Sequence, residues 1–128
     1  MRAVPTTPRN IFNTLIRTHH ILSRKKLQRV KKAASQQSLP FVLIRSGGFP
    51  GIMYAEGTEA DLNAWVSAVR GLRYKDFQCP RKPAASEVLT PNQTGQDGWH
   101  EVTSVTEFGQ LMEQRGLGQW WKSAMGYN

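Results

Sequence analysis

Phe41-Val42-Leu43-Ile44-Arg45-Ser46-Gly47-Gly48-Phe49-Pro50-Gly51-Ile52-Met53-Tyr54-Ala55-Glu56-Gly57 decides the fold. Two short apolar runs, 41–44 and 52–55, flank a turn carrying three glycines and a proline, which is β-hairpin composition. Upstream, Leu39-Pro40 closes whatever precedes the hairpin, because proline cannot continue a helix and restrains the residue before it. Downstream, Thr58 with Asp61 three residues later reads as an acidic variant of a helix capping box. Leu62, Trp65, Val66, Val69 and Leu72 follow at helical spacing and predict a buried stripe.

Further out, 11–21 is rich in β-branched residues, lacks Gly and Pro, and reads as a first strand. Ser23 can cap a helix running to about Gln37, with Leu27, Val30 and Ala34 as a narrow stripe facing the core. Beyond the second helix, 74–79 can alternate faces as a fourth strand that stops before Pro80. Residues 1–10 read as a flexible arm, and 80–98, with three prolines and glycines spread along it, as a polar surface loop. Ser104-Val105-Thr106-Glu107 matches a capping box ahead of Phe108, Leu111 and Met112. Gly116 can end that helix, and 119–125 makes a last short one before Gly126. The adjacent Trp120 and Trp121 cannot both face one core.

The order strand, helix, strand, strand, helix, strand predicts an α+β, ferredoxin-like βαββαβ fold: an antiparallel sheet with two helices on one face and a C-terminal helical tail. The second face of the sheet is left for a ligand or for the chain's own tail. The 128 residues suffice for one ordinary core, so 11–128 is taken as a single domain.

Charge is distributed unevenly. Positions 1–55 carry ten Lys or Arg and no carboxylate, whereas 56–128 carry seven basic and nine acidic residues. An uncompensated cationic half points to a polyanionic partner, most often nucleic acid, or else to a solvated charged face. Cys79 stands alone, which excludes an intrachain disulfide and fits a reducing compartment. No apolar run reaches the roughly 18 residues needed to span a bilayer, so no membrane is expected. An acid-free, Arg-containing N-terminus also resembles a mitochondrial transit peptide, although the basic run overlaps folded core.

The candidate site is the basic first helix. Arg24, Lys25, Lys26, Arg29, Lys31 and Lys32 repel one another at i,i+3 and i,i+4, a cost a phosphate ligand would relieve. Release of about six counterions corresponds to a log-log salt slope near −5. His19 and His20, where strand meets helix, either donate to phosphate and stack on bases, or pack and bond a backbone carbonyl. Arg45 and Tyr74 complete the candidate RNA-binding set. Tyr54, Tyr74 and Phe77 are stacking platforms or core. Gly47-Gly48-Phe49-Pro50-Gly51 lacks the lysine and following helix of a phosphate loop and reads as a turn. Adjacent histidines point apart on a strand and leave only His100 to join them, so no metal is expected. No nucleophile with a base beside it is recognisable, so neither catalysis nor a cofactor is expected.

Several pieces occur together in a suggestive order: His19-His20-Ile21 then Ser23 and a basic cluster; Pro50-Gly51-Ile52 leading to Glu56-Gly57; Trp65, Arg70, Leu72 and Tyr74; Phe108-Gly109-Gln110-Leu111, Gly116, Gly118 and Met125-Gly126. With these, 17–126 resembles the C-terminal domain of the splicing factor Prp3, a type also found behind RWD domains. The resemblance implies a ferredoxin-like domain that grips paired U4 and U6 small nuclear RNAs, touching duplex and adjacent single strand. It further implies a nuclear setting within a ribonucleoprotein; a mitochondrial or cytoplasmic one is the alternative. Leu22 and Phe49 stand where the pattern leads one to expect an aromatic and a basic residue. The expected function is therefore RNA binding through the first helix. The alternative is a protein-interaction module whose sheet face or Trp120-Trp121 tail docks a partner.

Overall fold

A computed structural model describes residues 11–89 and 97–127; the expected arm over 1–10 and the middle of the expected loop lie outside the described residues. In chain order the elements are β1 (Phe12–Thr18), α1 (Arg24–Gln36), β2 (Phe41–Arg45), β3 (Gly51–Gly57), α2 (Glu59–Gly71), β4 (Gln78–Ala85), β5 (Gly98–Val102), α3 (Val105–Gln114) and α4 (Gly118–Met125). The architecture is α+β, with a five-stranded mixed sheet and four helices among the described residues.

The hairpin forms as its composition dictates. β2 pairs antiparallel with β3, from Phe41 opposite Glu56 to Arg45 opposite Ile52. β3 also takes β1 on its other edge, and β1 takes β4, giving the spatial order β4-β1-β3-β2-β5. The helix caps match as well. Ser23, Thr58 and Ser104 each accept a hydrogen bond from the backbone N–H three residues on, at Lys26, Asp61 and Glu107.

The sheet departs from the expectation in three ways. It is not wholly antiparallel, because β5 adds to β2 in parallel, with Phe41 opposite Gly98 and Arg45 opposite Val102. The fourth strand begins at Gln78 rather than at Tyr74. Arg73 and Asp76 adopt left-handed φ values of 60° and 56°, so the chain turns there before it can extend. The strand then runs through Pro80 and Pro83 to Ala85, so the expected surface loop contributes six residues to the sheet at its start and Gly98 at its end. β4 tolerates these prolines because it is an edge strand, where a missing N–H costs no ladder bond and discourages pairing with another chain.

Both faces of the sheet are covered. On one, Ile16, Val42, Ile44, Met53 and Ala55 pack against Leu27 and Val30 of α1 and Leu62, Trp65 and Val69 of α2. The Trp65 indole donates to the Val30 carbonyl at 3.3 Å, tying the two helices together. On the other, Leu15, Phe41, Leu43, Ile52 and Tyr54 pack against Phe108, Met112, Leu117, Trp121 and Met125 of the C-terminal helices. Each large apolar side chain removed from water contributes about 1.5–3 kcal/mol, so the tail is a structural layer.

A buried polar network holds that layer in register. The Arg115 guanidinium, just after α3, meets the Glu56 carboxylate in two hydrogen bonds of 2.6 and 2.8 Å. It also lies 3.8 Å from the centre of the Phe41 ring. Tyr54 donates to Glu56 at 2.7 Å and accepts from Asn13 at 3.2 Å. Burial first, and the neighbouring Glu56 charge second, push the Tyr54 hydroxyl well above its ordinary pKa. Trp121 is buried, while Trp120 is half-buried, edge-on to Tyr54 and beneath the Arg81 guanidinium. Against the expectation that they cannot both face one core, both tryptophans pack on this same tail-facing cluster, Trp121 within it and Trp120 at its margin.

Candidate nucleic-acid interface

α1 presents one charged row and two charged flanks around its apolar stripe. Opposite the stripe, Lys25, Arg29 and Lys32 are exposed at i, i+4 and i+7; at 1.5 Å per residue this row spans about 10 Å. No ion-pair partner lies on any of them among the described residues. One flank faces β5. There Arg24 meets the Glu101 carboxylate at 2.9 and 3.2 Å, Glu101 also accepts from the Trp99 indole at 3.1 Å, and Lys31 lies 5.8 Å over the Trp99 ring. The hydrogen bond from Arg24 is the main reason the Glu101 carboxyl sits below the ordinary carboxylate range. The other flank carries Lys26, 5.1 Å over the Tyr74 ring.

The structure gives the predicted residues different surroundings. Lys25, Arg29 and Lys32 form the open row. Arg24 is neutralised by Glu101, an acid 77 residues away in sequence that charge counting could not bring close. Arg45 is half-buried and donates to the carbonyls of Thr103 at 3.1 Å and Pro50 at 3.0 Å, clamping two loops. Tyr74 is buried; its hydroxyl has no hydrogen-bond partner among the described residues, and burial pushes it up to about 12. Of the other aromatics considered as platforms, Tyr54 is fully buried and Phe77 is half-buried against the α1/α2 core under Arg70.

His19 lines a cavity of about 410 Å³ together with Arg17, Thr18, Phe49, Asp76 and Gln78, and His20 contacts it through the His19 ring. His19 Nδ1 lies 3.3 Å from Asp76 Oδ2, and its ring is edge-on to both His20 and Phe49 at 4.8 Å between centres. Sequence reasoning treated Phe49 as a turn residue and passed over Asp76 and Gln78. A large aromatic inside a Gly/Pro turn was the available signal, because such a turn offers little core to bury it. The loop is packed closely: a Cβ on Gly51 would sit 2.6 Å from the Ile21 side chain.

Release of Arg24 makes a testable difference. Glu101→Gln is expected to free that guanidinium for phosphate and to steepen the log-log salt dependence of RNA binding by about one unit, measured by anisotropy across a salt series. An unchanged slope would remove Arg24 from the interface.

No model of a known protein family matches the chain, and no curated protein matches its sequence. The geometry of α1 therefore carries the functional argument.

Proposed function

We propose that the protein is an RNA-binding domain with a ferredoxin-like βαββαβ core of the Prp3 C-terminal type, extended by β5 and a helical tail, and that it grips RNA phosphates with α1. The observation that carries this reading is the open Lys25, Arg29, Lys32 row. Both sheet faces are filled by the chain's own helices, so RNA has only the outer surfaces and the ends to bind. The first turns of α2 and α3 carry acids, Glu59 with Asp61 and Glu107, whereas those of α1 and α4 carry none, and of these two only α1 is densely cationic. Like-charge repulsion along α1 is relieved when phosphates dock. The covered sheet and the buried Trp121 offer a protein partner little of the aromatic surface that the alternative required. A nuclear ribonucleoprotein, as in pre-mRNA splicing, is the setting this reading favours.

The test is fluorescence anisotropy with a labelled RNA hairpin bearing a single-stranded tail, beside the same RNA as pure duplex and as pure single strand. With Arg24 held by Glu101, five α1 cations remain and the expected log-log salt slope is about −4. Binding that ignores RNA shape and vanishes at moderate salt would reduce the basic row to generic charge.

A further inference from the structure

We propose that the cavity ahead of α1 holds one unpaired ribonucleotide, its base stacked on Phe49 and its ribose 2′-hydroxyl bonded to Asp76. This rests on the α1 reading, which brings RNA to that end of the molecule. Phe49 is 61% exposed, although large aromatics are the side chains folding most gains by burying. Its ring is braced edge-on by His19, which is itself braced by His20 and Asp76. The His19 backbone N–H donates to the Lys75 carbonyl at 2.8 Å, so the end of β1 and the turn before β4, which both line the cavity, are fixed to each other. An exposed aromatic ring beside a polar cavity is a stacking platform for a base.

The rest of the lining selects the ligand. Arg17 supplies donors, Gln78 a donor and an acceptor, and Asp76 an acceptor, around a volume of about 410 Å³. A bare phosphate would meet the Asp76 carboxylate, and an apolar protein side chain would strip water from Arg17 and Asp76 without replacing their bonds. A nucleoside satisfies both: a flat base for Phe49 and polar edges and hydroxyls for the others.

The test uses the full chain and an RNA duplex that is blunt, carries a ribonucleotide tail, or carries a deoxyribonucleotide tail of the same sequence. The parent should bind the ribo-tailed duplex at least about fivefold tighter than the blunt one, the scale of one base stacked on an aromatic ring. It should bind the deoxy-tailed duplex more weakly than the ribo-tailed one. Phe49→Ala should erase the preference for a tail and leave blunt-duplex affinity unchanged. Asp76→Gly, which suits the left-handed φ at that position, should erase the ribo-over-deoxy preference and, through the lost contact with His19 beneath Phe49, reduce the tail preference less than Phe49→Ala does. Salt-dependent duplex binding with no tail preference in the parent, or a tail preference that survives Phe49→Ala, overturns the proposal and leaves the α1 reading standing. Equal binding of the two tails by the parent removes Asp76 from it and overturns the ribose assignment. Failure to bind any of the three RNAs overturns both.

Discussion

Arg115→Ala is expected to lower the free energy of unfolding by about 3–5 kcal/mol, the cost typical of removing one partner from a buried ion pair. The Glu56 side chain is 4% exposed and the Arg115 side chain 13%, and together they make two hydrogen bonds. Without the guanidinium, Glu56 keeps only the Tyr54 hydroxyl as a side-chain hydrogen-bond partner among the described residues and is left as an uncompensated charge between sheet and tail. The contact with the Phe41 ring is lost as well. Removing both charges is a different perturbation. Glu56→Gln with Arg115→Met leaves no ion in the interior and should be markedly less destabilising than Arg115→Ala alone. Urea denaturation of the parent, the single variants and the double variant measures this. A loss below about 1 kcal/mol for Arg115→Ala would show that the pair is effectively solvated and that apolar packing alone docks the tail.

Lys25→Glu combined with Arg29→Glu should weaken RNA binding by about a hundredfold or more at low salt and flatten the salt slope by about two units, because two counterion-releasing contacts become two repulsive ones. The fold should be unharmed. Both positions are exposed on α1, whose first turn carries no acid, so a glutamate at 25 complements the helix dipole. A glutamate at 29 also faces Lys32 three residues on, replacing a repulsion with an attraction. Circular dichroism and thermal melting separate loss of binding from loss of structure. Full RNA binding by a folded double variant would move the interface away from α1 and return the open row to a solvated face.

Glu101→Gln and the charge reversal test the same surface from opposite directions. One releases a cation that the fold has neutralised, and the other removes cations that the fold leaves open. Agreement between the two slopes would count the phosphates held by α1 independently of any chosen RNA sequence.

Structure set by neighbouring residues was legible in the sequence. Gly47, Gly48, Pro50 and Gly51 between two apolar runs specify the β2–β3 turn, and Ser23, Thr58 and Ser104 specify where three helices begin, because a cap bond reaches only three residues. The stripes Leu27, Val30, Ala34 and Leu62, Trp65, Val66, Val69 identify core faces because helical period is a property of one segment. Phe41 to Ile44 and Ile52 to Ala55 also carried a message about the second face of the sheet. Strands with apolar residues at consecutive positions are buried on both sides, and α3 and α4 are what cover the second one.

Tertiary structure decided what depends on residues far apart in sequence. The parallel seat of β5 on β2 is set by packing of a segment more than fifty residues downstream, and the later start of β4 by left-handed turns at Arg73 and Asp76 that composition does not mark. Glu101 reaches Arg24, Glu56 reaches Arg115, and Asp76 reaches His19 only because the sheet brings their elements together. A cationic half-sequence was therefore visible from composition alone, while the division of its charges into an open row on α1 and neutralised flanks was a matter of geometry, since Coulomb energy follows distance in space rather than distance along the chain.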